Sequence, residues 1–210
     1  MRWALSLALL VLAAGCSSGR RVDSPAVVSA SGRIGPLHVD RSTRADVIAF
    51  AGRPDAERKG GEGGGAPPFR ALGYGCSSKA SLHLFPLLED SRGRRGPYCQ
   101  TVFWINERTK RLGNFFTASS RFVESHGVRI GMRSQHAERL LHKRLTAGCE
   151  ENLYFENRSA MLTVAFAGGV THLERLHGSN LKAAGHVTGA HVFSFTLHGR
   201  KSEVGIFDCL

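Results

Sequence analysis

A short pattern that occurs twice constrains this chain more than any other feature. Val39 to Ala49 can be laid on Ile130 to Leu141, with one extra residue before Ser134. Ser42 then matches Ser134, Ala45 matches Ala137, Asp46 matches Glu138 and Ile48 matches Leu140. In each copy a hydroxyl residue precedes an apolar stripe and an acid falls in the first turn. That arrangement predicts a helix whose free N–H groups are capped by the hydroxyl and whose positive dipole end faces the acid. Ala137, Leu140, Leu141 and Leu145 extend the second copy along one helix face. Gly52-Arg53-Pro54 and Gly148 are the expected stops.

Strand signals follow each helix. Thr101-Val102-Phe103-Trp104-Ile105 runs into the turn Asn106 to Lys110, and Thr163-Val164-Ala165-Phe166-Ala167 runs into Gly168-Gly169. Further strands are expected at 70–75, 79–85, 111–117, 151–156, 170–176, 190–197 and 202–207. His191, Phe193, Phe195 and Leu197 alternate with Val192, Ser194 and Thr196, as in a half-buried strand. The hairpin copies lie closer together than the helix copies, which places an insertion in the first half. It takes in the Gly-rich stretch 60–68 and the basic stretch 90–97. The expected fold class is α+β, with two related units, each a short helix followed by an antiparallel β-meander. The units span 33–124 and 125–210.

The N-terminus reads as an export signal. Arg2 precedes a largely apolar run of twelve residues, Trp3 to Ala14, about 18 Å of helix against a hydrocarbon core of about 30 Å. A run that short followed by small residues is a cleavable signal rather than a membrane span. Leu12-Ala13-Ala14-Gly15-Cys16 resembles the lipobox of bacterial lipoproteins. The resemblance implies a signal peptide over 1–15, a diacylated Cys16 as mature N-terminus, and attachment to the cell or outer membrane on its extracytoplasmic side. Two acyl chains hold a protein on a bilayer where one binds only reversibly. Residues 16–32, rich in Ser and Gly, read as a flexible tether of about 22 Å r.m.s. span.

Export bears on the other cysteines. Cys76, Cys99, Cys149 and Cys209 remain once Cys16 is set aside. An even number in an oxidising compartment points to disulfides, and four cysteines allow three connectivities. Pairing within each half gives Cys76–Cys99 and Cys149–Cys209. No Cys-x-x-Cys occurs, and no Cys lies two to four residues from a His, which argues against zinc.

The two helix starts, Ile130-Gly131-Met132-Arg133-Ser134 and Ser42-Thr43 through Gly52-Arg53-Pro54, also carry a wider resemblance. A short helix so begun and followed by a meander resembles the tandem fold of the β-lactamase inhibitor protein family. It resembles equally the outer-membrane assembly lipoproteins of the BamE and SmpA/OmlA type. The first resemblance implies inhibition of a secreted serine β-lactamase or penicillin-binding protein, the second a role in envelope assembly.

Catalytic and metal patterns are sparse. His136 and His142, His172 and His177, and His186 and His191 are spaced six, five and five apart, none a ligand spacing, so no metal and no cofactor are expected. No Gly-x-Ser-x-Gly and no phosphate-loop pattern occurs. Cys76, or one of the histidines, is the residue on which an envelope hydrolase or transferase would have to depend.

Charge is the remaining signal. The chain of 210 residues carries a formal net charge of +11, and 42% of it is hydrophobic, which excludes a wholly disordered chain. The first hundred residues hold 14 bases and 8 acids, the rest 14 and 9, so the surplus is spread rather than gathered in a tail. Arg92, Arg94 and Arg95 form one local cluster, and Arg139, Lys143 and Arg144 another. Guanidinium groups suit bidentate contact with phosphate or carboxylate. For an exported protein nucleic acid is not the expected partner. A non-catalytic binding module facing an envelope protein or an anionic envelope polymer is.

Overall fold

The computed structural model describes residues 24–61, 67–77, 99–144, 152–156, 160–167 and 190–200. The elements run β1 (Ala26–Val28), β2 (Arg33–Ile34), β3 (Leu37–His38), α1 (Arg44–Ala51), β4 (Ala56–Gly60), β5 (Phe69–Cys76), β6 (Cys99–Asn106) and β7 (Arg111–Thr117). They continue with β8 (Phe122–Glu124), α2 (Ser134–Leu141), β9 (Asn152–Glu156), β10 (Ala160–Ala167) and β11 (His191–Gly199). The strands form a seven-stranded sheet, order β4-β5-β6-β7-β11-β10-β9, and a four-stranded sheet, order β3-β2-β1-β8. Among the described residues no helix is long and apolar enough to cross a membrane.

The fold is largely β, which corrects the expected α+β fold of two repeated helix-plus-meander units. Each described helix has only eight residues. The strands expected in separate halves pair directly, with Phe195 opposite Thr117 and Leu197 opposite Phe115, so one sheet runs through both. One apolar cluster follows it, from Leu72, Phe103 and Phe115 to Leu162, Val164, Phe195 and Leu197. Burying these rows against a shared core removes apolar surface from water across the whole sheet, which two separate units could not do at that junction. A second cluster, Ala71, Cys99, Val102, Trp104 and Phe116, occupies the opposite face.

Residues 24–32, read above as the end of a tether, belong to the fold. The Ala26 N–H donates to the Arg121 carbonyl at 2.8 Å, β1 pairs parallel with β8, and Val28 is fully buried. Valine side chains over a parallel ladder suit burial on the core side.

The helix starts differ from each other and from expectation. Thr43, not Ser42, caps α1: its Oγ1 accepts the Asp46 N–H at 3.3 Å, and Asp46 Oδ2 accepts the Thr43 N–H at 2.7 Å. Those bonds hold the Asp46 carboxyl below its ordinary pKa, the backbone N–H of Thr43 contributing most. Ser42 Oγ instead accepts the His38 N–H at 2.9 Å. α2 has Arg133 at its N-cap and no side-chain cap bond, and Ser134 lies buried inside the helix. Backbone pairing replaces the cap there. The Ser134 N–H donates to Ala190 O, and Met132 O accepts the Val192 N–H, both at 2.8 Å. The helix ends at Leu141, where His142 turns left-handed at φ 50°, ahead of the expected stop.

Two bulges change which side chains face the core. Trp104 pairs with Asn114 but Ile105 with Leu112, leaving Gly113 as the extra residue in β7. Ala165 pairs with Ser194 but Phe166 with Val192, leaving Phe193 extra in β11. Strict alternation therefore fails along β11, and Val192 joins Phe195 and Leu197 in the core. The expected strands 79–85, 170–176 and 202–207 lie outside the described residues.

Candidate functional site

The described residues bring one of the two expected basic clusters to a single surface. On α2, Ser134, Ala137 and Leu141 are buried, following the i, i+3, i+7 rule, and this leaves Gln135, His136 and Arg139 pointing outward. His142, Lys143 and Arg144 continue the exposed face past the helix end. Arg129 and Arg133 enter it from the segment before the helix. That segment is set by isolated backbone bridges, Val123 with Arg129 and Arg133 with His191.

The surface has two shallow hollows of about 490 and 500 Å³ that share Gln135 and Arg139. Arg129, Ile130, Met132, Arg133 and His136 complete the first. Glu138, His142, Lys143 and Arg144 complete the second. Five cations and two histidines thus stand beside a single carboxylate, Glu138, among the described residues lining them. Arg139, Lys143 and Arg144 lie toward the C-terminal end of the helix, where the last carbonyl groups carry partial negative charge and favour cations. Arg139, Lys143 and Arg144 were legible as a cluster. Arg129 and Arg133 were not, because the segment that carries them is irregular and has no period to read.

Around β4 and β5 charges are matched. Glu57 accepts from Arg44 at 2.8 Å and from Arg70, and Arg70 Nε also donates to Glu107 at 2.6 Å. Lys110 and Arg70 hold the Glu107 carboxyl down at about 2. These ion pairs are compensated, whereas the α2 surface has a net positive excess.

Cys76 and Cys99 are register partners at the ends of β5 and β6 and form a disulfide. Asp55 Oδ2 accepts the N–H groups of Gly75 and Cys76, at 2.6 and 3.2 Å, and anchors that end of β5. A bridged Cys76 sulfur offers no thiolate, so it cannot serve as the nucleophile of a hydrolase in this state. Of the described histidines, His126 Nδ1 lies 2.9 Å from the buried Glu124 carboxylate, and His198 Nδ1 3.3 Å from Asn114 Oδ1. Burial lowers the His198 pKa to about 4. No group of three His, Cys, Asp or Glu able to hold a metal occurs among the described residues. Cys16, Cys149, Cys209, Arg92, Arg94 and Arg95 lie outside the described residues.

No protein-family model matches the chain, and no curated protein matches it. Among solved structures, the crystal structure of the uncharacterized protein yfeY from Escherichia coli is similar to it. The TM-score is 0.46 at 13% identity, over 81% of this chain and 98% of that one.

Proposed function

We propose that the chain is a lipid-anchored, extracytoplasmic binding module without catalytic activity, whose α2 surface holds an anionic polymer of the bacterial envelope. The observation that carries this reading is the charge of that surface, five exposed cations beside one carboxylate across two adjoining hollows. Shallow hollows suit a repeating chain of phosphate or carboxylate groups better than a small enclosed substrate. Arginine forks can bind such groups bidentately. The anchor at Cys16 would keep the surface beside an envelope rich in such charge.

The test is binding of the purified protein to teichoic acid and to lipopolysaccharide, measured against an uncharged glucan. Saturable binding to one anionic polymer that weakens about tenfold between 50 and 300 mM salt is expected, because exposed charges are screened over a Debye length of about 10 Å at 0.1 M. Arg133→Gln/Arg139→Gln should weaken binding further than Arg33→Gln/Arg108→Gln, which removes equal charge elsewhere. Equal effects of the two pairs would overturn the assignment of the surface. Globomycin, which blocks lipoprotein signal cleavage, should retain the precursor in the membrane; normal processing in its presence would overturn the anchor.

A further inference from the structure

A second concavity, built from other elements, is bordered by a chain of aromatic contacts. It has a volume of about 460 Å³ and lies among β1, the end of α1, β5, β6 and β8. Phe50 at the end of α1 meets Phe122 edge-on at 6.5 Å between ring centroids. Phe122 meets Phe115 at 5.1 Å, Phe115 meets Phe103 at 5.0 Å, and Phe103 meets Tyr74 at 90° and 5.7 Å. The Tyr74 hydroxyl then donates to Gly52 O at 3.1 Å, which returns these contacts to the end of α1. Phe122, Phe115 and Phe103 each meet two rings, and Tyr74 is held by a ring and a hydrogen bond, so most of this apolar wall stands ready before any ligand arrives.

The cleft lining carries a single charge. Arg121 is the one charged residue among the described residues lining the cleft, and no carboxylate faces it there. Its backbone is held from both sides: its N–H donates to Ser119 Oγ at 3.3 Å and its carbonyl accepts the Ala26 N–H at 2.8 Å. Its side chain is exposed, and among the described residues the guanidinium has no hydrogen-bond or ion-pair partner. Gln100 and Thr101 add polar groups beside it.

We propose that this cleft binds a single-chain amphiphile with one anionic head group. Its apolar body lies on the accessible faces of Phe50, Ala51 and Tyr74, with the buried Phe103 and Phe122 behind them, and its head pairs with Arg121. The volume falls within the roughly 300–1,000 Å³ of small-molecule sites, which combine apolar walls with a few placed polar groups. A neutral hydrocarbon would leave Arg121 unused, and a polyanion would bring further charges against aromatic rings with nothing to match them. None of the cleft residues belongs to the α2 surface, so the proposal stands independently of the polymer reading.

The test uses the full chain carrying Cys16→Ser, titrated calorimetrically with laurate, dodecyl phosphate and uncharged dodecanol. One saturable site for an anion at micromolar concentration is expected. Tighter binding of dodecyl phosphate assigns the ligand to phosphate-headed lipids, and tighter binding of laurate to free fatty acids. Arg121→Gln should weaken the anions about tenfold or more, the loss of one charge-assisted hydrogen bond, and leave dodecanol unchanged. Ala51→Trp should fill the cleft and abolish binding of all three; if that variant fails to fold, Gln100→Trp at the exposed rim serves instead. Absence of saturable anion binding, or anion binding unaltered by Arg121→Gln, would overturn the proposal.

Discussion

The hydroxyl of Tyr74 donates to the carbonyl of Gly52, 3.1 Å away, and ties β5 to the end of α1. Burial is the main reason that its pKa rises from 10.0 to about 12. Below pH 10 both folded and unfolded chains keep the phenolic proton, so its contribution to stability is complete there. Between pH 10 and 12 the unfolded chain releases the proton first, and the contribution is lost as pH rises. Tyr74→Phe should therefore flatten the alkaline fall in Tm over this interval. A fall identical to that of the parent protein would show that Tyr74 does not produce it.

His198 acts at the other end of the pH scale. Burial lowers its pKa from 6.5 to about 4. Above pH 6.5 both states are neutral and the stabilisation is complete. As pH falls toward 4 the unfolded chain takes up a proton that the folded chain refuses, and stability declines, by about 3 kcal/mol at most for this group. His198→Gln keeps a side-chain partner within reach of Asn114 and removes the titration. Urea unfolding at pH 7 and pH 4.5 should show a smaller difference for this variant than for the parent.

The disulfide between Cys76 and Cys99 closes a segment with a sequence separation of 23. Chain entropy alone makes that worth about 3.5 kcal/mol at 25 °C. Cys76→Ser/Cys99→Ser should lose stability on that scale in denaturant. A mass of the intact, alkylated protein should show this pair protected before reduction and labelled after it.

Phe103 is fully buried and meets both Tyr74 and Phe115. Phe103→Ala opens a hole among these ring contacts and should cost about 3–5 kcal/mol. Phe103→Leu should cost much less, because it retains most of the volume. Equal losses for the two variants would mean that packing there is not set by the ring.

Particular segments show why some of this was legible and some not. β6, β7 and β10 are rich in Val, Phe, Ile and Thr, a composition that favours a pleated, buried surface, and all three lie where the pattern predicts. α1 stops at Gly52 as expected, since that residue adopts φ 85°, which glycine tolerates freely. β1, β2, β3 and β8 have two or three residues each, too few for any period, and exist because neighbouring chain supplies their partners. β4 reads AERKG, an edge strand with polar, exposed side chains that resembles a loop by composition. The candidate surface divides in the same way. The sequence showed Arg139 on the helix and Lys143 and Arg144 just past its end, while Arg129 and Arg133 joined them only through backbone bridges to β8 and β11.

The amino-acid order alone determined two local features, where the β6–β7 hairpin turns and where α1 ends. These depend on backbone propensities and on contacts between near neighbours. Only the tertiary structure decided that β7 and β11 pair, that Gly113 and Phe193 bulge out of register, and that residues 26–28 leave the tether for the core. A period-two pattern states which residues share a face within one strand. It carries no information about which strand lies alongside, and that choice falls to the joint burial of Val28, Phe115, Phe195 and their neighbours in one core.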